Sequence, residues 1–215
     1  MVYYPLFLDL RNQNVTVIGG GAVAAEKVRG LLDAGATIRL IAERAEPVLW
    51  QLSEAGALSH LTRDYQAGDL AGASIVIAER GEPATNEAIW REAIERGIPI
   101  NVVDDLPHCT FIAPAVLRQG DLTIAISTAG KAPALAVRLR QRFERWIGPQ
   151  YARFLEIAGA LRPLIAARHP AFEERRLIWY RLVDSNVIDL LRRGAEDEAR
   201  ATIEKIVGLS PEEIP

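Results

Sequence analysis

Short β-branched apolar runs alternate with helically spaced apolar residues over the first half of the chain. The runs predict strands at residues 15–18, 37–41, 74–78 and 99–103, with a weaker one at 58–63. The segments between them predict helices at residues 22–34, 47–56 and 84–96. Strands that alternate with helices through short connections indicate a parallel sheet with helices on both faces.

The pattern changes after residue 109. Residues 110–118 are apolar, a Gly-Asp pair indicates a turn, and residues 122–127 predict a strand. The remaining chain is helical in pattern, with predicted helices at residues 133–146, 151–167, 172–183, 185–193 and 195–207. We therefore expect an α/β domain at residues 1–113, a strand–helix segment at 114–148 and an all-helical domain at 149–215.

The composition is that of an ordinary globular protein. Of the 215 residues 49% are hydrophobic and 25% are charged, and 25 basic against 28 acidic residues leave a net charge of −3. This balance favours neither nucleic acid nor a membrane surface as a partner. No apolar run reaches the roughly 18 residues that span a bilayer. The N-terminus has no basic segment ahead of its apolar stretch, so we expect no signal peptide and a cytoplasmic location.

Cysteine and histidine usage argues against a metal centre. The single cysteine, Cys109, excludes an internal disulfide and a four-cysteine zinc site. The three histidines form no zinc-binding motif. His108 precedes Cys109, but adjacent residues on an extended backbone point to opposite faces. We predict no metal site and expect both to be partly buried loop residues.

A glycine-rich turn follows the first predicted strand and opens the first predicted helix. Gly19, Gly21 and Ala24 match the G-x-G-x-x-G/A pattern of dinucleotide-binding folds. Gly19 permits a tight turn, Gly21 lets a pyrophosphate approach the backbone, and Ala24 lets the helix pack closely on the strand. The free amides and the positive dipole end of the helix favour an anion. This context predicts a Rossmann-type dinucleotide site rather than a ligand-free turn.

The second half of this pattern is an acidic residue about 20 positions further on that binds the adenosine ribose. Glu43 lies two residues after the second predicted strand, and Arg44 follows it. Glutamate favours NAD, whereas the arginine would accept the 2′-phosphate of NADP. The alternative for both is a solvated loop charge. We predict NAD as the cofactor and leave NADP open.

Two aspartates, Asp104 and Asp105, follow directly after the fifth predicted strand. Ligands of doubly wound sheets lie at the carboxyl ends of the strands, which places Asp104 in the region of the cofactor. A carboxylate there can act as a general base. The alternative is a turn or helix N-cap, and this is the interpretation that we keep for Asp105.

Together the motifs resemble the precorrin-2 dehydrogenase/sirohydrochlorin ferrochelatase family, the module that stands alone or precedes the methyltransferase of sirohaem synthase. The resemblance covers nearly the whole chain, and the motifs occur in the family's order. They are YPLFLDLR at 4–11, VIGGGAVA at 17–24 with Lys27, NVVD at 101–104, FIAPA at 111–115, ISTAGKAP at 126–133 and Trp179. No methyltransferase domain follows, so we expect the stand-alone form.

The resemblance implies NAD-dependent oxidation of precorrin-2 to sirohydrochlorin, on the route to sirohaem or cobalamin. It implies a homodimer with a Rossmann domain, a middle dimerisation segment and a helical C-terminal domain. It also implies cofactor contacts through the backbone of Ala22 and Val23 and through the loop at Glu43 and Arg44. Asp104 matches the catalytic aspartate of the family.

The implied tetrapyrrole carries a rim of carboxylates, so a basic surface must bind it. The most basic stretch of the chain supplies three candidates, Lys131, Arg138 and Arg142. Arg138 and Arg142 share a helix face, and a solvated helix face is the alternative. Trp146, Trp179 and Tyr180 are expected to be core or dimer contacts rather than a stacking site.

One departure from the family concerns the cofactor. Glu79 and Arg80 follow the fourth predicted strand, where family members often have small or hydroxyl residues. Two alternatives to the plain dehydrogenase remain open. One is a bifunctional enzyme that also inserts Fe²⁺ into sirohydrochlorin, with Asp104 serving both steps. The other is a non-catalytic NAD-sensing or tetrapyrrole-binding protein, which only this departure supports.

Overall fold

The apolar runs of the first half form one parallel sheet. The strands are β1 (Asn14–Ile18), β2 (Thr37–Ile41), β3 (Ser59–Leu61), β4 (Ile75–Ala78) and β5 (Ile100–Val102). The computed structural model describes residues 3–79 and 81–209, and in this part of the chain the five strands lie in the order β3-β2-β1-β4-β5. The predicted α/β class is confirmed. Arg80, named above beside Glu79, lies outside the described residues.

Helices cover both faces of this sheet. They are α1 (Ala22–Asp33), α2 (Pro47–Glu54) and α3 (Pro83–Glu95). On β4, Ile75 and Ile77 belong to the buried cluster that contains Val28 of α1. Val76 belongs to the opposite cluster, with Ile89 of α3. A strand covered on both faces needs apolar side chains at every position, which explains why β4 is continuously apolar rather than alternating.

The connections place a topological switch point at the carboxyl edge of the sheet. In β1, Val17 pairs with Leu40 of β2 on one side and with Ile77 of β4 on the other. The chain therefore leaves β1 toward β2 and later returns to add β4 and β5 on the far side. The carboxyl ends of β1 and β4 flank the point where the strand order reverses, which is where doubly wound sheets bind ligands.

The chain divides into two compact units, Met1–Ala113 and Pro114–Pro215. The second begins with an antiparallel hairpin of β6 (Ala115–Gln119) and β7 (Leu122–Ile126). The sequence pattern marks residues 110–118 only as apolar and does not predict the strand β6. Its sequence AVLRQ lacks the strict alternation that marks a half-buried strand. Gly120, with φ +57°, makes the turn between the two strands.

Five helices follow in the described part of the second unit: α4 (Pro133–Trp146), α5 (Pro149–Arg168), α6 (Phe172–Val183), α7 (Val187–Arg192) and α8 (Glu196–Val207). Leu161, Leu182 and Ile203 are fully buried in their common core. Trp146 and Tyr180 are 65% and 60% exposed, which removes the core interpretation for them and leaves a dimer contact as the prediction. Within residues 3–79 and 81–209, no helix has both the length and the apolarity needed to cross a bilayer.

Candidate active site

The glycine turn joins β1 to α1 at the carboxyl edge of the sheet. Gly19 has φ +100°, a left-handed conformation that favours glycine. Its N–H donates to the Ile41 carbonyl at 2.9 Å, and the Glu46 N–H donates to the Gly20 carbonyl at 2.8 Å. A Cβ on Gly20 would lie 2.2 Å from the carbonyl oxygen of Arg44. Backbone packing against the end of β2 therefore requires this turn to be built from glycine.

The first turn of α1 offers its backbone to an anion. Gly21 precedes the helix without a side-chain cap, and the first helical turn carries no acidic residue. Ala22 and Val23 are exposed, while Ala24 is buried in the cluster that covers one face of the sheet. Ala24 thus packs as its position in the pattern requires, and the N–H groups at the helix start stay available.

A carboxylate already lies on this turn. Glu79 directly follows β4, and its Oε2 accepts a hydrogen bond from the Gly21 N–H at 2.8 Å. A Cβ built on Gly21 would lie 2.5 Å from the other carboxylate oxygen of Glu79. An internal anion is therefore seated where the glycine pattern expects a pyrophosphate, so the turn is able to accept an anion. The sequence drew attention to Glu79 but did not predict this contact.

Glu43 and Arg44 lie on the loop from β2 to α2, and both are exposed. The backbone of Arg44 packs against Gly20, so this loop adjoins the glycine turn. Neither side chain has a hydrogen bond or an ion pair within the described part of the chain. The structure therefore brings an acidic and a basic candidate for the adenosine ribose to the same edge as the turn.

Asp104 lies just after β5, at this same edge. Its backbone has φ +58°, the left-handed region that aspartate and asparagine tolerate better than most residues. The preceding Val103 donates its N–H to the Ala78 carbonyl at 2.9 Å, which attaches this loop to the end of β4 beside Glu79. The carboxyl side chain is exposed. Strained backbone with an exposed acid at a strand end is typical of functional positions.

His108 connects two carboxylates close to this loop. Its Nδ1 lies 2.8 Å from Asp105 Oδ2 and its Nε2 lies 3.0 Å from Glu87 Oε2 on α3. The hydrogen bonds to Asp105 and Glu87 raise the pKa of the imidazole above 6.5. The hydrogen bond from His108 is also the main cause that lowers the pKa of Glu87. With both nitrogens donating to carboxylates, neither is available to a metal ion.

Cys109 is a packing residue in the same loop. Its Sγ accepts a hydrogen bond from the Val102 N–H at 3.2 Å and donates to the carbonyl of Val102 or Asp105. Burial raises the pKa of the thiol, so it stays protonated and unreactive. Across the residues that the structure describes, no group of three or more His, Cys, Asp or Glu side chains is arranged to hold a metal ion.

The His108 contacts predict a specific dependence of stability on pH. The folded-state pKa of His108 is raised above the unfolded value of about 6.5. The contacts therefore stabilise the fold fully below pH 6.5, and this contribution is lost as the pH rises through the folded-state pKa. We expect His108→Gln to be less stable than the wild type at pH 5.5 and to approach it in alkaline buffer, measured by urea unfolding.

The matched control is His60→Gln on β3, where the imidazole Nε2 contacts the Ala42 carbonyl instead of a carboxylate. Glu87→Gln removes one of the two partners of His108, so its pH-dependent loss of stability should be about half of that of His108→Gln. If the free energy of unfolding of His108→Gln differs from that of the wild type by the same amount from pH 5.5 to 8.5, this explanation is contradicted.

The three basic candidates lie in the second unit. Lys131 lies two residues before the start of α4, and Arg138 and Arg142 are exposed on that helix. Arg138 donates to Gln141 Oε1 at 3.0 Å, an exposed contact. In α4 only Ala136 is buried, so most of the helix surface is open to a ligand or a second chain.

The second unit also contains a groove that the sequence did not predict. It has a volume of about 830 Å³ and is lined mainly by α5 and α6. Phe154, Trp179 and Tyr180 give it an aromatic wall, and Arg162 adds a positive charge. Several large apolar side chains of α6 are exposed, among them Phe172. Exposed apolar surface of this kind is typical of a site that binds a ligand or another protein chain.

Three family models match the chain one after another. Residues 6–115 match the family described as Putative NAD(P)-binding. Residues 119–145 match "Sirohaem biosynthesis protein central", and residues 150–206 match "Sirohaem synthase dimerisation region". The glycine turn and Asp104 fall in the first match, α4 overlaps the second, and the groove helices α5 and α6 fall in the third.

Known proteins resemble the chain over almost its whole length. "Siroheme synthase" of Azotobacter vinelandii is 36% identical over 212 residues, which are 98% of this chain and 46% of that protein. "Siroheme synthase 1" of Serratia proteamaculans is 38% identical over 205 residues, 95% of this chain and 43% of that protein. The chain therefore spans just under half of the length of these curated relatives.

A solved structure has the same fold. The protein titled "SirC, precorrin-2 dehydrogenase" superimposes with a TM-score of 0.79 at 21% identity, over 96% of this chain and all of that one. At this identity the likeness establishes the fold alone. The first family match covers more than half of the 215 residues. The chain therefore belongs to the family described as Putative NAD(P)-binding.

Proposed function

We propose that the protein catalyses the NAD-dependent oxidation of precorrin-2 to sirohydrochlorin. The observation that carries the proposal is that three family models match the chain one after another, and two of them are named for sirohaem. The glycine turn of the first match is able to accept an anion. The names of the siroheme synthases indicate sirohaem formation, and the name of the structural neighbour, precorrin-2 dehydrogenase, indicates this reaction. We propose residues 1–113 for the cofactor, 114–148 as a segment that contributes to the dimer and carries the basic substrate candidates, and 149–215 as a helical domain that adds a dimer contact through α5 and α6.

The residues at the turn fit a dinucleotide. Three consecutive glycines keep side chains off the turn, and the Gly21 N–H already donates to an anion. We assign the pyrophosphate to the turn and helix start, namely Gly19, Gly21, Ala22, Val23 and, for close packing, Ala24. We assign the adenosine ribose to Glu43 and infer NAD, with Arg44 as the residue that would accept NADP instead. When bound, the nicotinamide ring accepts the hydride that leaves the substrate.

Asp104 supplies the proton chemistry in this proposal. Oxidation of precorrin-2 removes a hydride and a proton, and the proton needs a base near the carboxyl edge of the sheet. The exposed Asp104 carboxylate lies at that edge, on a loop attached to the end of β4. We assign it the role of general base. His108 is held between Asp105 and Glu87, so we assign those three residues to shaping the loop rather than to the reaction.

The substrate carboxylates are assigned to the exposed basic residues Lys131, Arg138 and Arg142. We expect the double variant Arg138→Glu/Arg142→Glu to raise the KM for precorrin-2 about tenfold or more, because two attractive charges become repulsive. The Kd for NAD should change little. Arg29→Glu, an exposed charge on α1, is the matched control. Initial rates against substrate concentration measure the effect, and an unchanged KM would remove these arginines from the substrate site.

We also propose a homodimer. The match to the dimerisation region covers α5 and α6, whose exposed apolar side chains need a cover. The groove of about 830 Å³ lies on these helices and would face the second copy or its substrate.

The test of the proposed function is an anaerobic assay. Purified protein is mixed with freshly generated precorrin-2 and NAD, or NADP in a parallel arm, and the absorbance of the reduced cofactor and of sirohydrochlorin is followed. In the arm that contains NAD, we expect NADH and sirohydrochlorin to form at the same rate. Addition of Fe²⁺ as a substrate then tests the bifunctional alternative. Protein that is folded and binds both ligands without any turnover would overturn the dehydrogenase and leave the sensing alternative.

A further inference from the structure

The carboxylate of Glu79 occupies the space over the glycine turn. One of its oxygens accepts the Gly21 N–H at 2.8 Å, and the other lies where a Cβ of Gly21 would come within 2.5 Å. On Gly19, a Cβ would lie 2.5 Å from the Cβ of Glu79. A pyrophosphate on this turn needs the same amide and the same space. Glu79 in this position and a bound dinucleotide therefore exclude each other.

The strand register places residue 79 at the turn. Ile18 of β1 pairs with Ala78 of β4, and the Glu79 N–H donates to the Ile18 carbonyl at 2.7 Å. Residue 79 is thus fixed directly beside the first glycine by the parallel pairing of two central strands. Any side chain at this position lies against the turn, and here the side chain is an acid.

The carboxylate is held there by the turn and can be released. Within the described residues its one hydrogen bond is the one from Gly21, and it has no ion-pair partner among them. The residue is half-buried, so the side chain has access to solvent. The positive end of the α1 dipole favours an anion at this place, and a bound pyrophosphate would replace the carboxylate in that role.

We propose that Glu79 is an internal anion that competes with the cofactor for the glycine turn and so weakens dinucleotide binding. This inference rests on the proposed dinucleotide site and adds a residue that opposes occupation of it. Cofactor binding has to displace the carboxylate from the Gly21 amide into solvent. The affinity of this chain for dinucleotides therefore depends on how much more strongly the turn binds the pyrophosphate than it binds the Glu79 carboxylate.

The test is a set of binding titrations without any tetrapyrrole. Glu79→Gln removes the charge and keeps the size, and Glu79→Ala removes both. We expect Glu79→Ala to lower the Kd for NAD and NADH about tenfold, or about 1.4 kcal/mol, and Glu79→Gln to lower it severalfold. Glu82→Gln, an exposed acid just before α3, is the control with the same change of charge and should stay within about twofold.

Ligand fragments separate competition at the turn from a general charge effect. ADP carries the pyrophosphate, so its Kd should fall in the Glu79 variants as much as that of NAD. Adenosine lacks the pyrophosphate, and its Kd should not change. Thermal unfolding without ligand should show Glu79→Ala to be slightly less stable than wild type, because α1 loses its anion, and it also verifies that the variants fold.

The outcomes separate this inference from the proposed function. Weaker or unchanged dinucleotide binding in both Glu79 variants would overturn the competition, while the proposed function would stand on the wild-type affinity. An equal fall in the Kd for ADP and for adenosine in the Glu79 variants would also overturn the competition, because the substitution would then not act through the turn. Absence of dinucleotide binding in wild type and variants alike would overturn the proposed function, and the inference with it.

Discussion

Asp104→Asn is expected to lower kcat for precorrin-2 oxidation by at least about a hundredfold, the usual contribution of a general base, with the Kd for NAD within about twofold of wild type. Asparagine tolerates the left-handed backbone that Asp104 adopts at φ +58°. The substitution therefore removes the base without adding backbone strain. Anaerobic initial rates at saturating NAD measure kcat, and a titration with NAD measures the Kd.

Asp105→Asn is the neighbouring control. Asp105 accepts a hydrogen bond from His108 at 2.8 Å, so its loss should lower the free energy of unfolding and leave kcat within a few fold. Activity of Asp104→Asn above about a third of the wild-type kcat would exclude Asp104 as the base. A larger loss of kcat in Asp105→Asn than in Asp104→Asn would transfer the role to Asp105.

Gly20→Ala is expected to cost about 3 kcal/mol of unfolding free energy, the upper range for overpacking, and to abolish dinucleotide binding. A Cβ at this position would lie 2.2 Å from the carbonyl oxygen of Arg44 and 2.7 Å from the Cα of Ala45. Both are backbone atoms, so the loop after β2 or the turn itself has to move. Urea unfolding followed by circular dichroism measures the cost, and a titration with NAD measures the loss of binding.

Two other glycines provide matched controls. A Cβ on Gly21 would meet the carboxylate end of Glu79, a flexible side chain that can move away. Gly21→Ala should therefore keep most of the stability while it obstructs the pyrophosphate. Gly30, inside α1, has no atom within 4 Å of an added Cβ, and Gly30→Ala should stabilise the protein by about 0.5 to 1 kcal/mol. Equal stability of Gly20→Ala and Gly21→Ala would refute the packing argument.

The sequence predicts the sheet well where burial is complete. The strand β4 is apolar at every position and β1 is buried from Val15 to Ile18, because helices cover both faces of the sheet, and such runs are easily found. The short strand β3 (Ser59–Leu61) carries a weak signal because none of its three residues is buried. The strand β6 is not predicted because its residues do not alternate and only Leu117 is buried.

The candidate site divides in the same way. Gly19, Gly21 and Asp104 could be located from the order of strands, turns and helices, because the carboxyl ends of parallel strands meet at one edge. The contact of His108 with Glu87 depends on how α3 packs against the loop after β5, and no local pattern encodes it. The contact of Glu79 with Gly21 depends on the register of β1 against β4. The roles assigned to Lys131, Arg138 and Arg142 remain predictions.

The position of β1 in the sheet determines the order in which this protein can fold during synthesis. Val15 pairs with Ile38 and with Ile75, so the second partner of the central strand is made long after the strand itself. Until β4 has left the ribosome, the nascent chain exposes an unpaired apolar edge, and closing this long loop is slow. The β6–β7 hairpin pairs neighbouring residues and requires no such long loop to close. The half of the chain that is translated first thus contains the slower folding step and the segment most exposed to aggregation.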